Sequence, residues 1–267
     1  MTTIWSAAIG RYKHTAALLD GRVPSSLLRL DLADFPNITR AFAPMVRELR
    51  FDASEMAIAT FLQAEKHGKP LDLLPVVLSS RLQEGSLLCR ADSAIRGPAD
   101  LAGKRVGVRA YSQTTGLWLR GILQDSHGVK ADSIRWTTFE DPHVAEVGDP
   151  PWAERAPAGA EIGAMLRDGA LDAAIFGSDA PRMDWARPVF PDVAAAGRAF
   201  VARHGFVPVN HLMVVRRDRA DPALVAELLR MLAASDAEAP SGLPRGWEAL
   251  AAPLALARRY ATEQGLI

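Results

Sequence analysis

Cysteine is almost missing from this chain. Its single thiol, Cys89, has no partner for an internal bridge, so a disulfide-stapled scaffold is excluded. In the apolar run SLLCR, Cys89 reads as a small buried strand residue rather than a reactive thiol. A surplus of one charge is missing too. Lys+Arg and Asp+Glu both number 31, which argues against nucleic acid or an anionic membrane as the partner. No apolar run reaches the ~18 residues of a membrane span. The start, MTTIWSAAIGRYKH, has no basic stretch ahead of an apolar core. It reads as a first β-strand and not as a signal peptide, so the expected location is the cytoplasm. Common catalytic signatures are also missing. The histidines, at 14, 67, 127, 143, 204 and 211, show neither H-x-H nor H-E-x-x-H spacing, which with one cysteine argues against a structural zinc site. There is no G-x-S-x-G elbow, no Walker loop, and no dinucleotide loop in GKRVGV. A metal assembled from distant residues stays open.

What is present is an alternation of strands and helices over 267 residues, 49% of them apolar, enough for one large or two ordinary domains. TIWSAAIG, LLRLDL, FDASEM and LDLLPVVLSSR read as strands. HTAALLDG, NITRAFAPMVREL and AIATFLQAEKHG read as helices, with Pro44 expected to kink or break the second. Later come GSLLCR, RVGV, IRWTTF, LDAAIF and FVPVNHLMVVRRD as strands. TTGLWLRGILQDSHG, EIGAMLRDG and DVAAAGRAFVARHG read as helices. EDPHVAEVGDPPWAERAPAG and GSDAPRMDWARPVFP read as loops, and the end is Ala/Leu-rich helix with a break near APSGLPRG. Such alternation implies mostly parallel sheets with helices on both faces.

One junction is unusually polar. Tyr111, Ser112, Gln113, Thr114 and Thr115 stand where RVGV gives way to a helix. Helix starts leave N–H groups unpaired and carry partial positive charge, so these side chains could cradle a carboxylate. Ordinary N-capping is the alternative, although a cap needs only one such residue. Weaker junctions of this kind are Glu55 with Thr60, Tyr12 to Thr15, and Gly177 to Asp179.

DLAGKRVGV and GALDAAIFG resemble the second lobe of type II periplasmic binding proteins. FDASEMAIATFL, RVGVRAYSQTTGLWLRGILQD, RPVFPDVAAAGRAF and HGFVPVNHLMVVRRD resemble the 4,5-dihydroxyphthalate decarboxylase family, over most of the chain from Ala7 to about Leu232. The resemblance implies an α/β, two-lobed type II periplasmic-binding-protein-like fold, each lobe a mostly parallel sheet flanked by helices, with a ligand cleft between lobes. Lobe 1 would hold residues 1–84 and 206–267 and lobe 2 residues 85–205, with crossings near 81–88 and 203–211. The implied activity is a cofactor-independent decarboxylation of a hydroxylated aromatic carboxylate. A non-catalytic solute-binding protein for a small anion is the rival.

Under that resemblance His211 and Glu55 are the candidate catalytic residues. His211 interrupts an apolar strand, and an imidazole suits a proton donor or acceptor near neutral pH; a core histidine bonded to backbone is the alternative. Arg81 is a candidate carboxylate clamp, or else a solvated surface arginine. Tyr111, Ser112, Gln113, Thr114, Thr115, Thr60, His14 and Ser178 are the remaining substrate-binding candidates, and Arg120 is read as structural. No metal or cofactor is expected, and no nucleic acid or membrane partner. A homo-oligomer is compatible with this reading. Two departures from the family's pattern, Ala57 and Ala59 in place of hydroxyl residues and Gln83-Glu84-Gly85-Ser86 in place of a His-Ser-Ser run, bear on which substrate is taken.

Overall fold

The computed structural model describes residues 2–177 and 183–267. In chain order the elements are β1 (Thr3–Ala8), α1 (Ala16–Leu19), β2 (Leu28–Leu32), α2 (Phe42–Glu48), β3 (Ala53–Ala57), α3 (Ile58–Lys66), β4 (Leu71–Ser80), β5 (Leu87–Arg90), β6 (Arg105–Val108), α4 (Thr114–His127), β7 (Arg135–Thr138), β8 (Ala153–Arg155), α5 (Ile162–Arg167), β9 (Ala173–Ile175), β10 (Ala186–Pro188), α6 (Val193–His204), β11 (Val209–Arg216), α7 (Pro222–Glu238) and α8 (Trp247–Glu263). They form two compact units. Unit 1 holds Met1–Ser80 and Val209–Ala251, and unit 2 holds Arg81–Pro208 and Ala252–Ile267.

Unit 1 is built on a five-stranded sheet in the order β2-β1-β3-β11-β4. β1 runs parallel to β2 and β3, while β11, returning late in the chain, runs antiparallel to both β3 and β4. The sheet is therefore mixed where parallel pairing was expected to dominate. β3 and β11 are central and nearly all buried, so the polar residues they carry, Glu55 and His211 among them, stand out against apolar neighbours. Trp5, Leu28, Leu74, Met213, Leu228 and Leu232 belong to one core under the sheet. Pro75 is tolerated because β4 is an edge strand, and its pairing with β11 shifts register between the Leu74 and Val77 partners. The break expected at Pro44 falls just ahead of it. A 3-10 turn covers Ile38–Ala41, so α2 starts at Phe42 and Pro44 falls in its first turn, where a missing N–H costs nothing.

Unit 2 carries a six-stranded sheet in the order β10-β5-β9-β6-β7-β8, also mixed. Its two edge strands have three residues each and lie in the segments expected to be loops. Strands that short carry no legible alternation. The C-terminal segment, expected in the first lobe, joins unit 2 from Ala252 onward. The physical reason is its grip on α4. Tyr260 Oη donates to Asp125 at 2.9 Å, and Gln264 Oε1 accepts from Arg120 Nε at 2.7 Å. Gly121 leaves room for this: a Cβ there would lie 2.2 Å from the Tyr260 ring. Among the described residues no helix is long and apolar enough to cross a membrane.

Candidate functional site

In unit 1 the register between β3 and β11 decides which side chains meet. His211 lies opposite Ala57, and Met213 opposite Glu55. Side chains two residues apart share a face, so Glu55 and His211 are diagonal neighbours on one face of the sheet. His211 Nδ1 stands 2.6 Å from Glu55 Oε1. The Tyr12 hydroxyl donates to the same oxygen at 2.6 Å, and the Gly10 N–H donates to Oε2 at 2.8 Å. A buried carboxylate without such donors would cost several kcal/mol. An ionised Glu55 accepts at both oxygens, and its bond to the imidazole then requires the proton on Nδ1. The His211 side chain is 16% exposed and that of Glu55 0%, so the imidazole is the member of the pair that keeps a surface. Phe42 packs edge-on to it, ring centroids 5.1 Å apart, and limits how the ring can turn.

The loop after β1 holds the other half of this cluster. Thr15 Oγ1 donates to the Gly10 carbonyl at 2.7 Å and accepts from the Tyr12 N–H at 2.9 Å. Gly10 must be glycine, because a Cβ there would lie 2.7 Å from the Tyr12 ring and 2.8 Å from Glu55 Oε2. Tyr12 stacks flat on His14, centroids 5.1 Å apart and planes 2° from parallel. Burial, with the Glu55 charge behind it, pushes the pKa of the Tyr12 hydroxyl up, so it stays a donor. Burial pulls His14 down from the ordinary imidazole value, and His14 Nε2 is buried without a hydrogen-bond partner. Thr60 is buried in the first turn of α3, which follows β3 with no loop between them.

In unit 2 the polar junction opens α4. Gln113 is its N-cap in extended conformation, yet its side chain makes no capping bond, and its Oε1 is buried without a partner. Ser112, Thr114 and Thr115 are buried beside it. Arg81 belongs to the same cluster. Its Nη2 donates to Thr115 Oγ1 at 2.9 Å and its Nη1 to Ser86 Oγ at 2.8 Å, while Gln83 Nε2 donates to the Arg81 carbonyl at 2.7 Å. Arg81 is thus tied to the helix start and is no loose surface arginine. Tyr111 lies in the interior instead. Its ring packs 3.9 Å from the Arg120 guanidinium carbon, and its hydroxyl accepts from Trp152 Nε1 at 2.9 Å. Ser178 and Asp179 lie outside the described residues.

The structure thus joins Glu55 with His211 in unit 1, and Arg81 with Thr115 in unit 2. Gly10, Tyr12 and Phe42 complete the first cluster. Tyr12 stood only in a weak junction, and the other two were not among the candidates. Gly10, a glycine at the carboxyl end of a strand and two residues before an aromatic, is the one available signal for the first two. Nothing in the sequence pairs Phe42 with His211. Among the described residues no group of three or more His, Cys, Asp or Glu side chains could hold a metal ion.

No family model matches the chain. It is 31% identical over 233 residues to the 4,5-dihydroxyphthalate decarboxylase of Comamonas testosteroni, covering 81% of this chain and 69% of that one. It is 30% identical over 188 residues to the 4,5-dihydroxyphthalate decarboxylase of Pseudomonas putida, covering 66% and 70%. Among solved structures, protein AF1704 from Archaeoglobus fulgidus superposes with a TM-score of 0.61 at 15% identity, over 99% of this chain and 98% of that one. The periplasmic aliphatic sulphonate binding protein SsuA from Escherichia coli gives 0.52 at 17% identity, over 98% and 84%. The alkanesulfonate-binding protein SsuA from Xanthomonas axonopodis pv. citri gives 0.53 at 16% identity, over 98% and 85%. At such identities the likeness is one of fold, and that fold is periplasmic-binding-protein-like.

Proposed function

The chain belongs to the 4,5-dihydroxyphthalate decarboxylase family, and from that premise we propose that it releases CO2 from a hydroxylated aromatic carboxylate, such as 4,5-dihydroxyphthalate, without a cofactor. The observation that carries this reading is the Glu55–His211 pair. Replacing CO2 on a ring by hydrogen needs one proton delivered to the ring carbon. An imidazole whose Nδ1 is fixed on a buried carboxylate presents Nε2 for that transfer.

The imidazolium of His211 gives its Nε2 proton to the carbon that bears the carboxylate. Ring electrons form that C–H bond, and a ring hydroxyl oxygen carries the resulting deficit. The bond from this carbon to the carboxylate then breaks, its electron pair restores the aromatic ring, and neutral CO2 leaves. The imidazole is reprotonated from solvent. Glu55 stabilises the imidazolium and fixes its orientation, the role that a buried carboxylate plays behind a catalytic histidine elsewhere.

Unit 2 carries groups of its own that suit an anion. Arg81 offers a planar guanidinium, and the start of α4 offers backbone N–H groups with the Thr115 hydroxyl beside them. The test is a thermal-shift screen of hydroxylated benzoates and phthalates, with each hit followed for CO2 release. Stabilisation with release supports the reading. Stabilisation without release would turn it toward a non-catalytic binding protein.

A further inference from the structure

We propose that Tyr12 is a positioning residue that sets the acid strength of His211 through the oxygen they share on Glu55. Two donors converge on Oε1, the Tyr12 hydroxyl and His211 Nδ1, each at 2.6 Å, while the Gly10 N–H alone serves Oε2. A hydrogen bond to a carboxylate stabilises its charge and makes it a weaker acceptor for anything else. With Tyr12 in place, Glu55 therefore holds the imidazolium less tightly than it would alone. His211 then gives up its proton more readily, as a proton donor to a ring carbon must.

The arrangement is built and held. Gly10 allows Tyr12 and Glu55 to approach where any Cβ would press on both. Thr15 ties the loop at two points, and His14 stacks on the back of the Tyr12 ring. Tyr12 and His211 contact the Glu55 carboxyl, His14 stacks behind Tyr12 with the charges of Asp236 and Arg245 acting on it, and α2 contributes the apolar Phe42. Because burial keeps the Tyr12 hydroxyl protonated, its bond persists across the working pH range.

The proposal rests on the reading of His211 as proton donor, but it can be measured apart from it. In the full chain with labelled histidines, NMR follows the titration of His211, assigned by the signal lost in His211→Gln. In Tyr12→Phe the His211 midpoint should rise by about one pH unit, the worth of one hydrogen bond to a charged group. The alkaline limb of kcat should move up with it, with KM unchanged. A midpoint at or below that of the unsubstituted protein overturns the proposal. Gly10→Ala, which forces Tyr12 and Glu55 apart, should move the midpoint in the same direction, and it carries the test if Tyr12→Phe does not fold. An unmoved midpoint there overturns the proposal equally. If the midpoint moves while His211→Gln still releases CO2 at the full rate, the tuning stands and the catalytic reading of His211 falls.

Discussion

In unit 1 the polar groups of the candidate site are titratable and bonded to one another; in unit 2 they are hydroxyls gathered at one helix start around an arginine. The difference follows from the sheets. In unit 1 the returning strand β11 slots antiparallel between β3 and β4, and antiparallel registry brings side chains of distant sequence face to face. Glu55 and His211, far apart in the chain, become diagonal neighbours. In unit 2, β6 leads into α4 through a short polar turn, whose backbone N–H groups and Thr115 hydroxyl are local, with Arg81 joining them from 34 residues earlier in the chain. The first geometry suits proton transfer, because a carboxylate and an imidazole tune one another. The second suits holding a fixed negative charge, because neither N–H groups nor an arginine change protonation near neutral pH.

Substitutions should therefore separate by unit. Glu55→Gln has the largest expected effect, a loss in kcat of about 100-fold or more, the usual scale of general acid–base catalysis. It also sets an amide among three donors, so a lowered Tm should accompany it. A destabilised variant with full kcat would reduce the pair to a structural role. Arg81→Ala should instead raise KM by about 10–100-fold, the worth of one or two charge-assisted hydrogen bonds, with kcat much less changed. A fall in kcat alone would erase the division between the units.

The smallest effect concerns stability. His14, His127 and His204 have pKa values lowered, chiefly by burial. Below about pH 6.5 an unfolded chain takes up protons that these folded histidines refuse, so stability should be lost as pH falls from there. Asp125 and Asp172 sit below the usual carboxylate range: at Asp125 burial is the largest influence, but the Arg259 and Tyr260 hydrogen bonds and the arginine charges together outweigh it, and at Asp172 the Arg105 hydrogen bond leads. Their contribution is present above the unfolded carboxylate value and is lost only at more acid pH. Thermal unfolding between pH 7 and 5 should show a falling Tm, with a shallower fall in His127→Gln. A flat profile would show that these imidazoles are protonated alike in the folded and unfolded chain.

Much of the fold and part of the candidate site's geometry are legible in the amino-acid order. The glycines after α1, α3, α4 and α6 take up left-handed backbone at the expected stops, because only a residue without Cβ adopts it freely. The β3–α3 and β6–α4 junctions stand out, as do Glu55, His211 and Arg81, because each interrupts an otherwise apolar or regular pattern. β8 and β10 do not, since three residues carry no period. The attachment of Tyr260 and Gln264 to α4 does not either, since packing across distant segments leaves no local mark. Tyr12 is only faintly marked for the same reason: its importance lies in an oxygen 43 residues away in the chain.

The most direct test of the account is CO2 release from 4,5-dihydroxyphthalate by purified His211→Gln, run beside the unsubstituted protein at saturating substrate. If His211 delivers the proton, turnover drops by about 100-fold or more while the ligand-induced thermal shift persists. Equal turnover in the two proteins would contradict the account at its centre.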